Sequence, residues 1–170
     1  SFSPMHDAHL PNDLQGLILG GGYPELNARE LEANASMRED VRRALNDGMP
    51  CLAECGGFMY LHDEMEAMDG NSYHMAGVIS GRAYRTQRLN RFGYVTLTQK
   101  KEVLRMNDMG GIPAHEFHYF DSENCGDDFD AKKPASHRKW NCIHGTDTMM
   151  AGFPHLYFYG NPKVPEAFLR

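Results

Sequence analysis

Two short apolar runs that stop on glycines constrain this chain more than any other feature. Leu14-Gln15-Gly16-Leu17-Ile18-Leu19 halts at Gly20-Gly21-Gly22, and Met49-Pro50-Cys51-Leu52-Ala53 runs through Glu54 into Cys55-Gly56-Gly57. A short apolar run ending in a tight turn suits a strand buried on both faces, the kind found in parallel sheets. Between the two, Leu31, Ala35, Val41, Ala44 and Leu45 recur at near-helical spacing and Asn46-Asp47-Gly48 closes the segment. That pattern predicts one or two helices with Gly48 at the C-cap. Phe58-Met59-Tyr60-Leu61 then reads as a further helix, so the order strand, helix, strand, turn, helix predicts a parallel sheet flanked by helices.

Beyond Gly70 the texture changes. Met75 to Ile79, Arg82 to Thr86 and Phe92 to Thr98 are short β-like pieces separated by glycines and polar turns, which predicts an antiparallel extension of the sheet. Ala114 to Phe120 is another strand candidate. Asp121 to Lys139 is rich in Asp, Asn, Lys and Ser and reads as a long surface loop. Thr148 to Gly152 and His155 to Phe158 close the β pattern, Gly160-Asn161-Pro162 breaks it, and a short helix is expected near Pro165 to Leu169. Nothing repeats, and no composition shift marks a boundary, so residues 1–170 read as a single domain.

Charge and length narrow the function classes. Lys plus Arg number 17 against 23 Asp plus Glu, a net charge of −6, with no basic block to neutralise a run of phosphates, which argues against nucleic acid. No apolar run nears the ~20 residues that span a bilayer and Ser1 to Leu10 lacks a signal-peptide pattern, so no membrane and a cytoplasmic location are expected. Four cysteines without CxxC pairing point away from a disulfide framework and a zinc knuckle. Cys125, His137, Cys142 and His144 match no standard zinc spacing, and no metal is expected.

The strongest local chemistry is Ala53-Glu54-Cys55-Gly56-Gly57. A strand ending on a cysteine, with glycines permitting an immediate turn into a helix, lifts the thiol out at the sheet's C-terminal edge, where helix N–H groups favour a thiolate and hold an oxyanion. Gly56 N–H is the obvious donor. The plainer alternative is a small buried hydrophobe beside a tight turn. Gly20-Gly21-Gly22, at the end of a neighbouring strand, offers further amides, or a plain turn. It is a poor phosphate loop, because Glu25 stands where the last glycine of GxGxxG belongs, Pro24 lacks an amide donor, and no GxxxxGK[ST] occurs. A cysteine nucleophile needs a base, and of nine histidines His155, His115 and His118 sit best for the active edge. Glu54 and Glu116 are acids able to orient an imidazole or a substrate amine, or to serve structure.

Leu19-Gly20-Gly21-Gly22-Tyr23-Pro24-Glu25-Leu26, Ala53-Glu54-Cys55-Gly56-Gly57-Phe58-Met59-Tyr60-Leu61, Gly93-Tyr94 and His115-Glu116-Phe117-His118-Tyr119 fall in one recognisable order. The chain resembles the glutaminase domain of cobyrinic acid a,c-diamide synthases, and Phe2 to Asp7 and His155 to Phe158 with Asn161-Pro162 extend the likeness nearly end to end. The resemblance implies a class I glutamine amidotransferase-like (flavodoxin-like) α/β fold that lacks its first strand and helix, which leaves an exposed sheet edge. It implies glutamine as substrate, with Cys55 as nucleophile and His155 as the histidine that raises its nucleophilicity. Gly21, Gly22 and Gly56 fall in the region supplying oxyanion amides. His115, Glu116, His118 and Tyr119 fall near the glutamine pocket or an interdomain face.

In the whole family enzyme the ammonia amidates acetate carboxylates of a corrinoid precursor in cobalamin biosynthesis. ATP and Mg belong to an N-terminal synthetase domain absent from this chain, which would be the partner, and the corrinoid acceptor is reached through it. Many class I amidotransferases carry a glutamate two residues after the histidine, where this chain has Tyr157, so a Cys-His dyad is the expected machinery. Pro154 directly before His155 is a second departure. The alternatives are a catalytically silent amidotransferase-like module for binding or oligomerisation, and an unrelated Cys-His γ-glutamyl hydrolase.

Overall fold

The computed structural model describes residues Ser1–Arg170. Its first half is built as β1 (Leu17–Leu19), α1 (Ala28–Ala33), α2 (Ala35–Asn46), β2 (Cys51–Glu54) and α3 (Gly56–Tyr60). β3 (His62–Glu66), β4 (Ser72–His74), β5 (Ile79–Arg85), β6 (Arg91–Gln99), β7 (Ile112–His118) and β8 (Phe120–Ser122) follow. β9 (Phe129–Lys132), β10 (Lys139–Cys142), β11 (His144–Gly145), β12 (Met149–Gly152), β13 (His155–Leu156) and α4 (Lys163–Phe168) complete the chain.

The mixed α/β class holds, and its parallel centre is where the glycine-stopped runs place it. β1 and β12 pair in parallel with either side of β2, and β11 adds an antiparallel edge. All four residues of β2 are buried or half-buried, which explains its unbroken apolar sequence. β1 lies at the sheet's edge, and its Ile18 is 60% exposed between the buried Leu17 and Leu19. Gly48 follows α2 with φ +88, the left-handed C-cap that its sequence position suggests.

The antiparallel part is more extensive than an added strand or two. β10-β9-β6-β7-β13 form a separate antiparallel sheet, and β4-β3-β5-β8 form a third, mixed one. The stretch expected to be a surface loop, Asp121 to Lys139, instead contributes β9 and the start of β10. Phe129 and Ala131 are fully buried while Asp130 and Lys132 alternate outward. With two apolar residues set among charges, the period of two is too short to detect. β3 is also unanticipated: its sequence His-Asp-Glu-Met-Glu buries only His62 and Met65. His62 is held by Phe58 O at 2.9 Å from Nδ1 and by Ser122 Oγ at 2.6 Å from Nε2, tying α3 to β8. Its burial pushes the imidazole pKa down.

Two hydrophobic clusters result. One packs α1, α2 and α3 on the parallel sheet around Met37, Phe58 and Phe153, and the other fills the space behind the five-stranded sheet around Leu97, Ile112 and Phe129. Leu52 of β2 and Met150 of β12 belong to the second cluster, so the parallel sheet is buried on both faces, at about 1.5–3 kcal/mol per fully buried large apolar side chain. No helix is long and apolar enough to cross a membrane.

Candidate active site

β2 delivers Cys55 at the edge of the parallel sheet with φ +48 and ψ −104, a left-handed conformation that non-glycine residues adopt only under constraint. Such geometry costs on the order of 1–3 kcal/mol and needs the surroundings to enforce it. They do so through backbone contacts: Cys55 N–H donates to Gly152 O at 2.9 Å, Met59 N–H donates to Cys55 O at 2.9 Å, and Gly57 N–H donates to Gly20 O at 3.0 Å. A Cβ on Gly57 would collide with the Leu19 carbonyl, and one on Gly56 would lie 2.9 Å from Gly22 O and from Pro24 Cδ. The elbow and the Gly20–Gly22 loop therefore fit only because both are glycine. Gly21 and Gly22 N–H groups make no backbone hydrogen bond, and Gly56 is the first residue of α3, where an N–H has no helical acceptor.

The imidazole arrives from the other sheet. β12 leaves the parallel sheet at Gly152, the buried Phe153 and Pro154 turn the chain, and β13 pairs with β7 so that His155 lies opposite His115. A Cβ on Gly21 would stand 2.5 Å from His155 Cε1, so the glycine loop forms the seat of the ring. Pro154 is accommodated because its ring is buried in the turn and needs no partner for a missing N–H. The Cys55 side chain bonds His155, and Glu54 reaches it with Oε2 3.6 Å from Nδ1. Together these raise the His155 pKa from 6.5 to about 10, the Cys55 interaction being the larger cause, with burial opposing both. At neutral pH the ring is an imidazolium between the Cys55 sulfur and the Glu54 carboxylate. Cys55 itself is 8% exposed.

Glu54 also accepts the Leu156 N–H at 3.1 Å through Oε1, so one carboxylate grips the backbone after the histidine and faces the ring. Tyr157 does not take that place; it is 58% exposed and its ring lies 6.2 Å from that of Tyr159. The adjacency of Glu54 to Cys55 was visible in the sequence, but its partner was not, because His155 lies 101 positions away.

The His115–Tyr119 segment splits by strand parity. His115 and Tyr119 face outward with Phe117, whereas Glu116 and His118 face the core. His118 stacks on Phe153 at 4.1 Å and its Nδ1 bonds Phe120 O at 2.7 Å, which holds it away from the thiol. Glu116 is fully buried, with Arg91 Nη1 3.8 Å and His118 Nε2 3.9 Å from Oε1. Of the three histidines singled out, only His155 meets Cys55. Cys125, His137, Cys142 and His144 do not converge, and no three His, Cys, Asp or Glu side chains form a metal-binding group.

A cavity of about 420 Å³ opens against Gly21, Gly22 and Gly56 on the side of Phe2, Met5 and Tyr60. It shares the glycine wall of the site but touches neither Cys55 nor His155, so a glutamine amide seated there would not meet the thiol.

Residues 1–162 match the family model described as the CobB/CobQ-like glutamine amidotransferase domain. Curated relatives named cobyrinate a,c-diamide synthase include that of Caldanaerobacter subterraneus subsp. tengcongensis, 35% identical over 170 residues, covering 99% of this chain and 38% of the relative. That of Fusobacterium nucleatum subsp. nucleatum is 38% identical over 97% of this chain and 36% of its own length. That of Picrophilus torridus is 37% identical over 99% and 36% respectively. The chain thus spans less than two-fifths of the relatives it matches. An elbow cysteine, a histidine seated on a glycine loop and a family match over nearly its whole length place this chain in the CobB/CobQ-like glutamine amidotransferase domain family.

Proposed function

We propose that the chain hydrolyses glutamine to glutamate and ammonia through a γ-glutamyl thioester on Cys55. The Cys55 sulfur, whose proton is held on His155 as the imidazolium, attacks the side-chain amide carbon. The oxyanion that forms is received by the N–H of Gly56 and by the free amides of Gly21 and Gly22. The His155 imidazolium gives its proton to the departing nitrogen, and ammonia leaves as the C–N bond breaks. His155, now neutral, takes a proton from water as it attacks the thioester; the C–S bond then breaks, releasing the γ-carboxylic acid, which ionises to glutamate, and restoring the sulfur–imidazolium pair. Glu54 orients the ring and stabilises its charge, so the third position rests on the residue before the nucleophile rather than on Tyr157.

The observation that carries this reading is the placement of His155 on the Gly21 seat, between the Cys55 elbow and the Glu54 carboxylate 3.6 Å from Nδ1, beside a loop of free glycine amides. Glutamate release by the purified chain tests it: release is expected from the unaltered protein and none above background from Cys55→Ala. Equal release from both would end the proposal. Preference for free glutamine over γ-glutamyl peptides separates it from a γ-glutamyl hydrolase, and reactivity of Cys55 separates it from a silent module.

We read the chain further as the glutaminase unit of a longer ligase, feeding ammonia to carboxylates of a corrinoid acceptor such as the cobyrinate that names the relatives. ATP and Mg belong to the portion of those relatives that this chain does not match. The residues here do not fit a nucleotide, because Gly21 is packed on an imidazole and the Gly57 amide is taken by Gly20 O. Location in the cytoplasm belongs to the same reading.

A further inference from the structure

Four buried rings stand in a row between the two halves of the candidate dyad. His118 of β7 stacks on Phe153 with centroids 4.1 Å apart and planes 9° from parallel. Phe153 meets Phe58 of α3 edge to face at 5.0 Å, and Phe58 meets His62 in the same manner at 4.6 Å. All four side chains are buried. Phe58 comes three residues after Cys55, on the helix that begins at the elbow, and Phe153 comes two residues before His155. The contact between the two phenyl rings therefore joins the nucleophile's helix to the segment that carries the imidazole.

The row is anchored at both ends on one short strand. At one end His118 Nδ1–H donates to Phe120 O at 2.7 Å, while its Nε2 faces the buried Glu116, whose Oε1 lies 3.9 Å from it and 3.8 Å from Arg91 Nη1. At the other end His62 Nδ1–H donates to Phe58 O at 2.9 Å, which leaves Nε2 to accept the Ser122 hydroxyl at 2.6 Å. Ser122 Oγ in turn accepts the Asn124 N–H at 2.8 Å. Phe120 and Ser122 are the first and last residues of β8. An imidazole suits each end, because it offers a flat face or edge to its neighbour in the row and a ring nitrogen to a polar anchor. Rings that only filled space would be free to slide, whereas a row fastened twice to the same three-residue strand fixes the spacing of the two phenyl rings inside it. Pro154 separates Phe153 from His155 and stiffens that last step, since proline fixes its own φ and confines the residue before it. A shift of the Phe153 ring is thus passed on to His155 rather than absorbed.

We propose that His118 is a positioning residue for the dyad: through Phe153 and Phe58, with His62 as the opposite anchor, it sets the separation of the Cys55 sulfur and the His155 ring. The inference rests on reading Cys55 and His155 as the dyad of the proposed function. β7 then meets the His155 segment twice, through the strand pairing of His115 with His155 and through the stack of His118 on Phe153. A misplacement of about 1 Å in such a pair can cost on the order of 10² in rate, so a loosened row should be felt at the chemistry before it is felt in the fold.

Alkylation of Cys55 by iodoacetamide at pH 6 and pH 9, mapped by peptide mass spectrometry, tests it without glutamine. A sulfur paired with an imidazolium should react at pH 6 within about tenfold of its rate at pH 9, whereas an unpaired thiol slows by about 10² over the same interval. His118→Phe keeps a stacked ring and removes its anchor, and Phe153→Leu keeps an apolar side chain and removes the stack. Each should lower the pH 6 rate about tenfold and leave the pH 9 rate little changed, and each should lower kcat for glutamine about tenfold with KM little changed. Ser122→Ala releases the far anchor without altering a ring and should act in the same direction, by about threefold. Leu97→Ala, equally buried but in the hydrophobic cluster of the five-stranded sheet, should lower the unfolding temperature comparably and leave the pH 6 rate and kcat unchanged. A pH 6 rate unmoved by His118→Phe and Phe153→Leu, or lowered as much by Leu97→Ala, would overturn the proposal. Where those two variants fail to fold, an unmoved rate in Ser122→Ala would overturn it. Alkylation at pH 6 in an unaltered protein that hydrolyses no glutamine would end the glutaminase reading alone, and its absence there would end both.

Discussion

The parallel sheet and the five-stranded antiparallel sheet each contribute half of the candidate dyad, and they do so by opposite means. Cys55 is fixed by backbone: a φ of +48, three hydrogen bonds around the elbow and glycines that admit no side chain. His155 stands on a two-residue strand at a sheet edge, its side chain 39% exposed, and is placed by the Gly21 seat and the Glu54 carboxylate. The nucleophile is rigid because altering it means refolding a turn. The base is held by contacts that single substitutions can remove, which leaves its position and charge open to tuning.

The largest expected effect breaks the backbone-built half at its chemistry. Cys55→Ala should abolish glutamine hydrolysis while thermal unfolding stays close to that of the unaltered protein, because the alanine keeps the same backbone. His155→Gln attacks the other half and should lower kcat by about 10²–10⁴, the ordinary contribution of a general acid–base. Gly57→Ala tests the claim that the elbow depends on absent side chains. Its Cβ meets the Leu19 carbonyl, so we expect a loss of about 1–3 kcal/mol or more in unfolding free energy together with lost activity. Gly21→Ala should instead leave stability nearly unchanged and displace the ring, costing up to about 10² in rate.

The smallest and most informative change is Glu54→Gln. The His155 pKa is raised in the folded state, from 6.5 to about 10. Its pairing therefore stabilises the fold fully below about pH 6.5 and is lost as pH rises through about 10. Removing the Glu54 charge should pull that upper edge toward neutrality in both the stability and rate profiles, with kcat falling about 10–100-fold and KM little changed. An unaltered alkaline limb would show that Glu54 serves the Leu156 backbone only.

The same two sheets also differ in how much their sequences disclose. β2 and its elbow were legible because burial on both faces leaves a continuous apolar run, and because the Cys-Gly-Gly turn has few other uses. β9 was not, since Phe129 and Ala131 are its only buried residues. β6 reads as apolar on both faces, Phe92-Gly93-Tyr94-Val95-Thr96-Leu97, which hides which side faces the core. Among nine histidines, spacing alone could not select His155, because its partner Cys55 comes from a different sheet. Glu54 was legible as a neighbour of Cys55, while its contact with Leu156 across the strand ends was not.

The most direct test of the dyad is covalent. The purified chain, treated with the glutamine-like electrophile 6-diazo-5-oxo-norleucine and mapped by peptide mass spectrometry, should carry a single adduct on Cys55 that free glutamine prevents and His155→Gln slows. An unmodified Cys55 on folded protein, or an adduct that glutamine does not protect, would contradict the account.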